Sequence, residues 1–201
     1  MTFSNTPFVF ATAVAACTLI GGMAVACPIA SDLQRGIQLN FTDGTQEVYT
    51  SMKEGLVRAV GGNPGDDQYQ LDLAYGVYLL VSQDIIDGQP DFGSRLTTAF
   101  PMSIAQMPIP QAGARWQADV TLTDADGTSP ETQTFAMGGP RTQIIGDCSY
   151  EAIDIMVHYD GAEQLVDGLV LLPELGFAYL SWFEDNDGAR SDYPVASISA
   201  R

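Results

Sequence analysis

The chain has 201 residues and carries 8 Lys and Arg against 25 Asp and Glu, a formal net charge of -17. So acidic a surface repels phosphate backbones and anionic headgroups, which excludes nucleic-acid binding and attachment to acidic lipid surfaces. With 46% hydrophobic residues the composition is that of a globular domain with a sizeable core.

The first element in chain order is "FVFATAVAACTLIGG", Phe8 to Gly22, an apolar run too short to span a bilayer comfortably. It reads as the core of a signal peptide, and Ala24 and Ala26 supply the small residues a signal peptidase accommodates before a cut. The expectation is a signal peptide over 1–26 and a single β domain over 27–201, with no membrane-spanning segment left after cleavage. The leader departs from the usual pattern in lacking Lys or Arg ahead of the apolar run.

Cleavage there removes Cys17 and leaves two cysteines, Cys27 and Cys148. An even count in an exported chain favours one disulfide. The alternative is a lipid anchor on Cys27, which would make the protein an outer-membrane lipoprotein and leave Cys148 a lone thiol. The lipobox of bacterial lipoproteins usually has Leu three residues before its cysteine, and Ala24 stands there. The disulfide is the favoured reading, and with it a periplasmic or secreted location.

From Gly36 onward the chain alternates apolar and polar residues between turn signals, and Asp-Gly recurs at Asp43, Asp87, Asp126, Asp160, Asp167 and Asp187. "GIQLNF", "TQEVYTSM" and "LVRAVGG" predict three strands, and "YQLDLAYGVYLLV" predicts one long strand from its unbroken period of two. Further on, "RWQADVTLTD", "ETQTFAM" and "CSYEAIDIMVHYD" continue the pattern. "AEQLVDGLVLL" turns apolar on both faces near its end, as a central strand does. "FAYLSWFE" and "YPVASIS" close the chain. The predicted class is all-β: an antiparallel meander of about ten strands forming a curved sheet, half-barrel or barrel.

Catalytic and metal signatures are weak. His158, the one histidine, shares a strand face with Asp154, Met156 and Asp160 and reads as solvent-facing. There is no Gly-x-Ser-x-Gly, and one His with two paired Cys cannot make a zinc site. "TDADGTSPE" and "FEDNDGARSD" resemble calcium loops, but with glycine at the sixth position the first would be Leu122 or Phe183, which offer no oxygen. No metal and no cofactor are expected.

One segment stands out, "AFPMSIAQMPIPQAG" from Ala99 to Gly113, too apolar for a solvated loop. It reads first as a crossover sealing the core, and second as the lid of an apolar cavity. Phe100, Met102, Ile104 and Met107, joined by the aromatic residues Trp116, Tyr179 and Trp182, are the candidate cavity or lid residues.

The stretches "CPIASDLQRGIQLNFTDGTQEVY", "ARWQADVTLTDADG", "GDCSYEAIDIMVHY" and "LPELGFAYLSW" together resemble small exported bacterial β proteins of unassigned activity. "PELG", Pro173 to Gly176, is also similar to a turn in periplasmic half-barrel carriers of the lipoprotein-carrier type, a likeness that implies an acyl-chain cavity. Composition and pattern favour a non-catalytic protein that binds an apolar small molecule or another envelope protein. The alternative is a carboxylate-dependent hydrolase acting on an envelope polymer.

Overall fold

A computed structural model describes residues 26–53, 55–63, 65–161 and 164–201; the signal peptide expected over 1–26 lies, apart from Ala26, outside the described residues. Among them the chain forms fourteen strands: β1 Ile37–Phe41, β2 Gln46–Lys53, β3 Leu56–Gly62, β4 Gln68–Ala74, β5 Tyr78–Ile86, β6 Gln89–Pro90 and β7 Leu96–Ala99. The second half adds β8 Arg115–Asp124, β9 Gly127–Ile145, β10 Cys148–Asp160, β11 Gln164–Leu172, β12 Phe177–Glu184, β13 Arg190–Asp192 and β14 Val195–Ala200. The pairings are antiparallel and join one sheet in the order β13-β12-β11-β10-β9-β8-β7-β5-β4-β3-β2-β1-β14, with β6 folded back on β5.

The all-β meander holds, but the expectation of about ten strands rolled into a half-barrel or barrel is corrected. The path has two free ends, β13 and β14, and no ladder joins them. β13 and β14 belong to one continuous segment, residues 190–200. Its first residues pair with β12, where Tyr193 N–H donates to Ser181 O at 2.7 Å, and its last pair with β1, just past which Thr42 N–H donates to Pro194 O at 3.0 Å. Pro194 has no N–H to continue a ladder, so the segment changes partners at that point. The half-barrel implied by the "PELG" likeness therefore does not describe this sheet.

A second correction concerns "YQLDLAYGVYLLV", which is two strands, β4 and β5. Tyr75 and Gly76 both take left-handed φ, 49° and 66°, and Val77 N–H donates to Ala74 O at 3.0 Å. This is a three-residue connection, Tyr75 to Val77, built on a tight turn with Tyr75 and Gly76 at its centre. Gly76 is required on steric grounds as well, because a Cβ there would overlap Gly176 O and the backbone of Phe177. The β4–β5 turn thus docks on the β11–β12 turn, where Ala178 N–H donates to Gly76 O at 2.9 Å.

Two apolar clusters fill the interior. One gathers Ile37, Leu39, Tyr49, Ala59, Tyr150, Val170, Leu172, Phe177 and Tyr179, with Tyr49 stacked on Phe177 at 4.1 Å between ring centres. The other gathers Tyr78, Met107, Phe135, Ile153, Ile155, Val157, Leu171 and Ala178. Alternate residues of β11 and β12 belong to different clusters, so these two strands form a wall buried on both faces, as the apolar end of β11 predicts.

Cys27 and Cys148 form a disulfide with Cα atoms 5.5 Å apart, which fixes the start of the described chain to the start of β10. Pro28 is fully buried, its carbonyl accepts from Tyr150 Oη at 3.1 Å, and Leu33 of the short 3-10 turn Ala30–Gln34 enters the first cluster. Closing a loop with a sequence separation of 121 contributes on the order of 4–5 kcal/mol in the chain-entropy picture.

Candidate functional site

The residues singled out in the sequence do not form one cavity. Phe100, Met102, Ile104, Met107 and Trp116 do come together, packed into or against the second cluster. Phe100 stacks on Trp116 with ring centres 5.7 Å apart, Trp116 stacks on Phe135 at 5.6 Å, and Tyr78 meets all three rings edge-on. Tyr78 Oη donates to Pro108 O at 3.0 Å and Met107 is 3% exposed, so the Ala99–Gly113 segment is pinned by both its backbone and its side chains. Tyr179 lies in the other cluster, edge-on to Phe41. Trp182 lies over Gly168, with the Arg190 guanidinium 4.3 Å from its ring centre. His158 is exposed on its strand face with Asp154, Met156 and Asp160.

Two carboxylates, one buried and one half-buried and neither of them singled out by the sequence, mark the polar features of the interior. Glu47 on β2 is 5% exposed and accepts hydrogen bonds from both Tyr49 Oη and Tyr69 Oη. The cross-strand order explains the approach: Glu47 pairs with Gly61, Gly61 pairs with Tyr69, and a Cβ on Gly61 would overlap the Tyr69 ring. The missing side chain lets the phenol cross over β3 to the carboxylate. Burial pushes the Glu47 carboxyl above the usual carboxylate range, opposed by the two phenol hydrogen bonds. A hollow of about 290 Å³ adjoins it, lined by Phe41, Asp43, Thr45, Glu47, Tyr69, Leu180 and Tyr193.

Asp167 on β11 is the second. Its Oδ2 accepts from Tyr159 Oη at 2.7 Å, and burial pushes its carboxyl upward against that one hydrogen bond. The Tyr159 hydroxyl is itself pushed well above its ordinary range, first by burial and then by the Asp167 charge. Asp167 opens on a larger pocket of about 520 Å³. Its apolar wall is Leu79, Leu96, Leu122, Leu165 and Phe183. Its polar wall is Thr98, Asp124, Ser129, Glu131, Gln133, Tyr159 and Asp167. Gln133 is 3% exposed and donates through Nε2 to Glu131 Oε1 at 2.8 Å. Register assembles this wall, because Gln133 of β9 pairs with Tyr159 of β10, which pairs with Leu165 of β11 two residues before Asp167.

Sequence reading passed over Asp167 because Asp-Gly signals a turn, whereas Asp167-Gly168 lies within β11. The available signal is the period of two: Leu165, Asp167, Leu169 and Leu171 share one face, and a carboxylate in a row of leucines marks a buried charge. Among the described residues, no group of three or more His, Cys, Asp or Glu is placed to hold a metal ion, and no helix is long and apolar enough to cross a membrane.

No family model matches the chain, and no curated protein matches it. Among solved structures it is similar to the hypothetical lipoprotein YmcC from Escherichia coli (K12), at 12% identity over 84% of this chain and 88% of that one, with a TM-score of 0.46.

Proposed function

We propose that this chain is an exported binding protein, periplasmic or secreted, that takes an apolar small ligand into the pocket beside Asp167. The observation that carries the reading is the convergence of five apolar side chains and a half-buried carboxylate, with a hydrogen bond from the described residues to only one of its oxygens, on one hollow of about 520 Å³. That volume lies in the range of small-molecule clefts, and an apolar wall with a few placed polar groups is their usual lining. The Cys27–Cys148 bond supports export, since such bonds persist in oxidising compartments. It also occupies the sulfur that a lipid anchor would use.

The test is titration with a neutral hydrophobic fluorophore. Saturable binding of one equivalent is expected, weakened about tenfold or more by filling the pocket with Leu122→Trp or, independently, Leu165→Trp. Absence of saturable binding, or binding that neither variant changes, overturns the reading. One observation favours a second reading, hydrolysis of an envelope polymer: Asp124, Glu131 and Asp167 line the same pocket. That reading predicts turnover of a polysaccharide substrate that Asp167→Asn abolishes.

A further inference from the structure

The polar wall of the Asp167 pocket sets three carboxylates beside the hydroxyls of Thr98 and Ser129. Asp124, Glu131 and Asp167 contribute carboxylates, and among the described residues no Lys, Arg or His lines it. Tyr159 is a donor there, but its hydroxyl proton already goes to Asp167 Oδ2. Gln133 directs its amide N–H to Glu131, which leaves its carbonyl oxygen as the free end of a side chain that is 3% exposed. Thr98, 4% exposed, also lines the pocket, and neither its hydroxyl nor the Gln133 carbonyl is hydrogen-bonded to a described side chain. Both oxygens open on the hollow rather than lying sealed without a partner, and beside the carboxylate oxygen that Tyr159 does not reach they present acceptors to an incoming donor.

Resting on the binding function proposed above, we infer that the ligand is an amphiphile whose polar end is an alkylammonium, its chain lying along Leu79, Leu96, Leu122, Leu165 and Phe183. An ammonium brings three N–H donors and a positive charge to a site that offers carbonyl and carboxylate oxygens and no cation. A fatty acid or phosphate head would meet oxygen acceptors and like charge, on a chain whose net charge is already -17. An alcohol head has one donor where the site can use three.

Competition against the bound fluorophore separates these heads: dodecylammonium, dodecanol and dodecanoate, each below its micelle concentration and at physiological salt. Dodecylammonium is expected to displace the fluorophore at about tenfold lower concentration than dodecanol, and dodecanoate to be the weakest. Asp167→Asn is expected to bring the ammonium and alcohol within about threefold of each other without weakening dodecanol, whereas Asp187→Asn, in an exposed turn, preserves the preference. Gln133→Leu provides a second variant should Asp167→Asn fail to fold, and is expected to cut the preference several-fold. Equal or better displacement by dodecanoate or dodecanol overturns the inference, as does a preference that Asp187→Asn reduces as much as Asp167→Asn. In either case fluorophore binding remains and the pocket reading stands; loss of fluorophore binding itself overturns that reading instead.

Discussion

Glu47, buried, and Asp167, half-buried, are both carboxylates held by tyrosine, and they differ in how completely. Each oxygen of Glu47 has a phenol donor, Tyr49 on its own strand and Tyr69 across Gly61. Among the described residues Asp167 has Tyr159 alone, and the rest of its carboxyl belongs to the lining of the larger pocket. A carboxylate saturated by fixed donors has nothing left to offer a ligand and serves to position the strands around it. A half-satisfied one retains an unspent acceptor in a low-dielectric place, where a matching donor gains most.

This contrast makes substitutions at the two sites diverge. Glu47→Ala leaves two buried phenol hydroxyls without an acceptor, and denaturant unfolding is expected to show a loss of about 2–5 kcal/mol. Gly61→Ala forces the Tyr69 ring off its seat and away from Glu47, with an expected loss of about 1–3 kcal/mol; a negligible change would mean that the crossing over β3 is not needed to hold Glu47. Tyr159→Phe removes one hydrogen bond at a site that already lacks others, so about 1–2 kcal/mol is expected, less than for Glu47→Ala. Equal losses at the two sites would erase the distinction between them.

The smallest effect is on pH dependence. Both carboxyls are pushed up in the folded protein, so the folded state holds their protons more tightly than the unfolded chain does. Their contribution to stability is then fully present below about pH 4, where the unfolded groups are also protonated, and is lost as pH rises through the raised folded values. The melting midpoint should be higher at pH 5 than at pH 8 by about 2–4 °C. Glu47→Gln combined with Asp167→Asn should flatten that slope, which separates these two groups from the general repulsion of a chain with net charge -17.

Much of the sheet was legible because period-two runs bounded by turn residues leave little choice. "CSYEAIDIMVHYD" and "FAYLSWFE" coincide with β10 and β12. The run spanning β4 and β5 misled because the turn at Tyr75 to Val77 falls inside an unbroken alternation, and only the left-handed φ of Tyr75 and Gly76 reveals the reversal. The strand predicted over "ETQTFAM" is too short, since β9 continues through Pro140, helped by the irregular register opposite Ile153 and Ile155 of β10. The site was less legible for a different reason. Phe100, Met107 and Trp116 announced themselves by size, and size led to the core. The carboxylates depend on cross-strand neighbours, Gly61 for one and Gln133 with Tyr159 for the other, and that register is set only when the strands pair.

Photolabelling with an alkyl diazirine, with the modified peptides located by mass spectrometry, tests the difference between the two sites most directly. Saturable labelling of residues around Leu96, Leu122 and Leu165, suppressed by Leu122→Trp, is the predicted result. Labelling concentrated on Phe41, Leu180 and Tyr193 beside Glu47, or labelling that does not saturate, would contradict it.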